Sequence, residues 1–152
     1  MKKKYIIGLG NYSKQDDSIG LRIVEDIVAH NLDKTFDAVD VGNDGVSMLG
    51  YFSEETERIL MVDCALINKK PGDYLFCNLN DIESRKVSGS MSTHEGDIIK
   101  IVEMARSLNF FIPPIRIMAI QPESLDLEMT LSNTLMQRLD KYVRLAVEEI
   151  NK

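Results

Sequence analysis

The chain has 152 residues, 44% of them apolar, and a formal net charge of −6. That length suits one globular domain spanning 1–152, burying roughly 70% of the surface its unfolded form exposes, with no room for a second independent domain. The acidic balance lacks the basic footprint that neutralises phosphates and argues against a nucleic-acid partner. No apolar run approaches the ~18 residues needed to cross a bilayer.

Lys2-Lys3-Lys4 imitates the start of a signal peptide, but the apolar run behind it is short, broken by Gly8 and Gly10, and soon meets Asp16. It reads as a solvated lead into a first strand, Tyr5-Ile6-Ile7-Gly8. A polar loop from Asn11 to Gln15 follows, then a helix whose inner face is Ile23, Val24, Ile27 and Val28, capped by Asp17 or Ser18. Phe36 to Val41 reads as strand two. Gly42-Asn43-Asp44-Gly45 then punctuates the chain before a short helical stretch with Val46, Leu49 and Phe52, and Arg58 to Val62 forms strand three, ending at Asp63.

These units resemble successive βαβ crossovers. Only a short segment with Pro71-Gly72 separates Asp63 from Tyr74-Leu75-Phe76, too little for a helical crossover, so a fourth strand running antiparallel is expected. Thr93 can cap a helix with Ile98, Ile101, Val102, Ala105 and Leu108 at helical spacing, which Pro113-Pro114 ends. Ile115 to Ile120 is the fifth strand. From Ser132 onward, Leu135, Leu139, Tyr142, Val143, Ala146, Val147 and Ile150 trace the stripe of a long terminal helix. The expected fold class is therefore α/β with a mixed, mostly parallel sheet.

Cys64 and Cys77 form no Cys-x-x-Cys unit and no zinc-ribbon or disulfide spacing, so both are expected to be reduced core or strand thiols of a cytoplasmic protein. Met48, Met91, Met104, Met118 and Met136 could suggest a soft-metal surface, but packing is their default role.

In open α/β sheets, ligands gather beyond the carboxyl ends of the strands, which is where this reading places the Gly8 loop, Asp17, Asp40, Asp63 and Gln121-Pro122. Aspartate and histidine supply oxygen and nitrogen ligands suited to nickel, zinc or manganese. Taken singly, each residue has an ordinary role: Asp17 as a helix cap, Asp63 as a strand end, His94 as a solvated side chain near a helix start.

The linked order is more specific than its parts: Gly8-Leu9-Gly10-Asn11, Asp16-Asp17 with Gly20, Asp40-x-Gly42, Asp63, Ser92-x-His94 and Pro122-Glu123-Ser124. It resembles the NiFe hydrogenase maturation endopeptidase family over most of the chain. The resemblance implies a three-layer α/β/α sandwich with a five-stranded mixed sheet. It also implies a cytoplasmic peptidase that removes the C-terminal extension of a hydrogenase large-subunit precursor once nickel has been inserted. By motif, the metal-reading residues are Asp17, Asp63 and His94, with Asp17 at a position where the family uses Glu or Asp. Nickel would be supplied by the substrate precursor, with no tightly bound organic cofactor. The chain departs from the family at Asn43, where threonine is common after the glycine; Asp40 is retained as a supporting acid in catalysis.

No His-Glu-x-x-His zinc motif surrounds His94-Glu95 and no Gly-x-Ser-x-Gly elbow is present, which disfavours an ordinary metalloprotease or serine hydrolase. A competing reading is a receiver-like phosphoacceptor signalling domain using Asp16, Asp17 and Asp63, although strand five ends at Gln121 rather than at a lysine. A dinucleotide-binding module is weaker, because Ser13 stands where the third glycine of the fingerprint would be.

Overall fold

The computed structural model describes residues 1–83 and 95–152, and of these the side chains of all but 82, 83 and 95–97. Strands β1 (Lys3–Leu9), β2 (Asp37–Gly42), β3 (Thr56–Cys64), β4 (Tyr74–Asn78) and β5 (Ile115–Ile120) form one sheet in the order β2-β1-β3-β5-β4. β1 pairs in parallel with β2 and β3, and β3 with β5, while β4 lies antiparallel to β5. The short Pro71-Gly72 connection thus has the consequence expected of it. The helices are α1 (Ile19–Ala29), α2 (Leu79–Glu83), α3 (Glu95–Ser107) and α4 (Asn133–Ile150).

Successive side chains of a strand point to opposite faces, and here both faces are covered. Ile6, Leu60, Val62 and Met118 pack against Ile23 and Ile27 of α1 and Tyr142 and Ala146 of α4. Ile7, Met61 and Ile117 pack against Ile101 and Val102 of α3 and Met48 of the 3-10 turn Gly45–Tyr51. The result is a three-layer α/β/α sandwich, and its doubly covered parallel strands explain why Ile59 to Val62 reads as an unbroken apolar run. Among the described residues, no helix is long and apolar enough to cross a membrane.

Several details differ from the sequence expectation. Val28 is 48% exposed, because the buried stripe of α1 begins earlier, with Ile19 and Leu21. In the 3-10 turn Val46 is exposed and Met48 is buried instead, since a three-residue repeat aims side chains differently from an α-helix. Leu108 lies just past α3 and is exposed. Ser18 is the N-cap of α1 but does not cap with its side chain; its hydroxyl donates to the Gln15 carbonyl at 2.6 Å. The Thr93 cap and Met91 lie outside the described residues. The short α2 was not anticipated, although Asp81, which accepts from the Asn78 amide at 3.0 Å, is a local signal for its start.

What positions the rest is a close approach of α1 to the sheet. A Cβ on Gly8 would collide with the Gly20 carbonyl and stand 2.9 Å from a Val24 methyl. A Cβ on Gly20 would collide with the Val62 carbonyl and come within 2.8 Å of that of Leu9. Gly10, at φ +148°, lies against the Asp17 carbonyl, where no side chain fits. These three glycines let the first turn of α1 rest on the carboxyl ends of β1 and β3. Gly20→Ala is expected to cost roughly 3 kcal/mol or more, because backbone and not a movable side chain must give way. Gly50→Ala, with nothing within 4 Å of its Cβ position, should stay within about 0.5 kcal/mol of wild type. Urea unfolding of the two variants checks the contrast.

Candidate functional site

The strand order creates a switch point: β1 has β2 on one side and β3 on the other, and the connections leave to opposite faces of the sheet. Such points leave a crevice at the carboxyl ends of the strands. Asp17 comes to this crevice from the 3-10 turn Gln15–Ser18 that follows β1, and Asp63 is the penultimate residue of β3. The turn packs against β3. Both carboxylates are buried, Asp17 at 5% and Asp63 at 3% exposure. By strand alternation Asp63 shares the face of Met61 and Ala65, the face covered by α3.

The Cys64 thiol stands near these charges. Burial pushes its pKa far above the ordinary thiol value, and the negative charges of Asp63, Asp17 and Asp16 push it further in the same direction. The structure therefore brings Asp17 and Asp63 into one electrostatic neighbourhood. The third residue of the predicted set, His94, lies outside the described residues; α3, which starts at Glu95, packs on the Asp63 face. Among the described residues, no group of three or more His, Cys, Asp or Glu side chains could hold a metal ion. Two carboxylates at one buried place repel each other, and a divalent cation converts that repulsion into attraction.

The neighbouring acids have different roles, which sequence alone did not separate. Asp16 is fully buried. Its Oδ2 accepts from the amides of Glu123 and Ser124 at 2.9 and 3.0 Å and from the Ser132 hydroxyl at 2.7 Å, while Oδ1 accepts from the Ser132 amide at 2.8 Å. It is the anchor of the loop between β5 and α4. This commitment removes Asp16 from any phosphoacceptor cluster and with it the receiver-like alternative. The end of β5 agrees: Gln121 is turned to structure, its side-chain oxygen accepting from the Ile67 amide at 2.8 Å. Ser132, eight residues beyond Pro122-Glu123-Ser124, gave no sequence signal that it would meet Asp16.

Asp40 stands elsewhere. It pairs in register with Gly8, whose missing side chain faces α1, so Asp40 points to the α1 face while Asp63 points to the α3 face. It is exposed; its Oδ2 meets the Tyr12 hydroxyl at 2.8 Å, and its Oδ1 accepts from the Gly42 amide at 2.8 Å. The Tyr12 hydroxyl also lies 3.0 Å from Glu25 of α1. Desolvation first, and then these two carboxylates, push the tyrosine pKa well above its usual range. The register slips between Gly8 and Leu9 so that Leu9 pairs with Gly42, a bulge that Gly42 allows at φ +55°. Asp40 thus clasps the loop after β1 to β2 and α1, and Asn43 is exposed beside it.

Cys64 and Cys77 are both buried free thiols, as expected. Burial pushes Cys77 up to about 11. Of the methionines, Met48 and Met118 are core, whereas Met104 and Met136 are exposed. Two outcomes follow. Asp16→Ala strands several buried donors at once and should cost roughly 3 kcal/mol or more, read by urea unfolding. At pH 8 the folded protein should react with a thiol reagent at least ~100-fold more slowly than the unfolded chain, since only the thiolate attacks; a stopped-flow thiol titration with and without denaturant checks this.

Comparison with known proteins agrees with the fold. The family model described as hydrogenase maturation protease matches residues 21–149. A Methanocaldococcus jannaschii protein provisionally named as a hydrogenase maturation protease is 27% identical, with 99% of this chain and 90% of that protein covered. The NiFe hydrogenase maturation protease HybD from Thermococcus kodakarensis superposes with a TM-score of 0.81 at 23% identity, covering 97% of this chain and 99% of that one. The hydrogenase maturating endopeptidase HybD from E. coli gives 0.74 at 22% identity, covering 97% and 89%.

Proposed function

Since the chain belongs to the hydrogenase maturation protease family, and is on that ground a peptidase, we propose that it is a cytoplasmic endopeptidase that removes the C-terminal extension of a NiFe hydrogenase large-subunit precursor after nickel insertion. Nickel arrives as part of the substrate. Asp17, Asp63 and His94 recognise it there, and no organic cofactor takes part. The observation that supports this reading is the pair of buried carboxylates, Asp17 and Asp63, on a turn and a strand end that pack against each other at the switch point of the sheet.

The donor chemistry fits. Carboxylate and imidazole ligands suit a first-row divalent ion, and three side chains leave positions for the ligands the precursor already provides. Holding the metal at a fixed place also holds the chain attached to it, so the tail's peptide bond is presented in one geometry. An empty precursor lacks that handle. Asp40 supports this arrangement at a distance: through Tyr12 and Gly42 it fixes the loop that leads from β1 to Asp17.

Purified protein should cleave nickel-loaded precursor and leave nickel-free precursor intact, as followed by the mass of the large subunit. Asp17→Asn, Asp63→Asn and His94→Ala, compared at equal folded concentration, should each lose at least ~100-fold in rate. Asp40→Asn should lose less, because its contacts are to the loop and not to the crevice. Equal cleavage by all forms and of both precursors would reject the proposal.

A further inference from the structure

We propose that the loop between β5 and α4, residues 122–131, is the face on which the body of the precursor docks, and that it takes a basic, partly apolar surface of that protein. The inference rests on the precursor-processing reading above and adds the place and chemistry of recognition beyond the metal.

The loop is held from beneath at many points. Its Ser124 and Glu128 carbonyls accept from the amides of Asp16 and Gln15 at 3.1 and 2.9 Å. The Asp16 carboxylate takes the amides of Glu123, Ser124 and Ser132, and the Arg22 guanidinium donates to the Met129 carbonyl. Every one of these tethers leads to the turn that bears Asp17 or to α1. Fixed backbone would ordinarily turn its apolar side chains inward, yet Leu127 is 83% exposed and Met129 59%. Leu125, also exposed, stands two residues before Leu127. A pinned loop that displays leucine to water is a mark of an interaction site.

Its charge says what would cover it. Glu123, Asp126 and Glu128 alternate with these apolar residues, all three are exposed, and no lysine or arginine lies between 122 and 131. Among the described residues none of the three acids has an ion-pair partner. Beside the loop runs an apolar groove of about 320 Å³ between α1 and α4, walled by Met129, Met136 and Leu139; Glu25 and Asp26 at its edge are already paired with Arg22 and His30, so the unpaired acids of this face are those of the loop itself. Lysine and arginine are the side chains that fit such a strip. Their stems lie along apolar surface while their heads reach carboxylates, and interfaces of this kind are salt-sensitive. The loop leaves the carboxyl end of β5, the same end of the sheet as Asp17 and Asp63, so a precursor seated there has its metal near the crevice.

The test uses nickel-loaded precursor with two variants of the full chain, Leu127→Ser/Met129→Ser and Asp126→Lys/Glu128→Lys, with both binding and steady-state cleavage measured. Each variant should keep the wild-type melting temperature, because the altered side chains are exposed. Each should raise KM about tenfold and weaken binding alike, with kcat unchanged. Wild-type KM should rise with added salt, and the charge-reversed variant should lose or invert that dependence; Leu127→Met, which keeps an apolar side chain, should leave KM near that of wild type. Wild-type-like KM and binding in both variants would overturn the docking face and leave the processing reading standing. Binding that is lost in the variants, with no cleavage even by wild type, would keep the docking face and remove the processing reading. No binding by wild type would overturn both.

Discussion

Three glycines make the site possible. Gly8, Gly10 and Gly20 allow backbone to lie against backbone where β1, β3 and the first turn of α1 meet, and this contact sets where Asp17 stands relative to Asp63. A methyl group at any of the three would need the helix to retreat from the sheet, since the obstructing atoms are carbonyl oxygens. Such contacts gain their stability from many small dispersion terms that decline steeply with distance. The position of a buried carboxylate at the switch point is thus inherited from the absence of side chains several residues away.

From that contact the structure divides labour between adjacent acids. Asp16 faces back into the protein, and the hydrogen bonds it accepts from both ends of the β5–α4 loop satisfy a charge that could not otherwise be buried. Asp17 is the next residue of the same turn, buried where that turn packs against β3. Because the two are neighbours in one short turn, the loop anchored by Asp16 and the carboxylate offered by Asp17 are mechanically one unit, and the outward leucines of that loop are placed with respect to the crevice by the same bonds. Asp40 performs a parallel service on the other side of β1, where Tyr12 links it to the loop. The proposed recognition of a metal carried by another protein would require such a fixed frame, since the metal's own ligands would already be partly supplied.

Strand positions, the antiparallel β4 and the terminal helix were legible because apolar runs, connection length and helical spacing are local properties of the chain. β5 matches its expected residues, Ile115 to Ile120. Asp17 and Asp63 were legible as residues at or after the carboxyl ends of strands, although β3 runs one residue past Asp63. Their convergence could not be read from spacing, because it depends on strand order and on glycine contacts between segments about forty residues apart. Asp16 was visible only as half of an acidic pair; what separates it from Asp17 is Ser132, more than a hundred residues on, for which no periodic signal exists. Asp40 was grouped with the site by its strand-end position, whereas the register with Gly8 sends its side chain to the opposite face. Exposed Val28 and Val46 show the remaining kind of difference: the buried stripe of α1 begins earlier in the chain, and a 3-10 repeat aims side chains differently from an α-helix.

The proposed function requires that Asp17 and Asp63 meet nickel that belongs to the precursor. Nickel K-edge X-ray absorption of the loaded precursor, recorded alone and then with a stoichiometric amount of this protein under conditions too short for cleavage, observes that encounter at the metal. The account predicts additional oxygen or nitrogen ligands on complex formation with wild-type protein and their loss with Asp63→Asn. Nickel coordination unchanged by a bound, folded wild-type protein would contradict it.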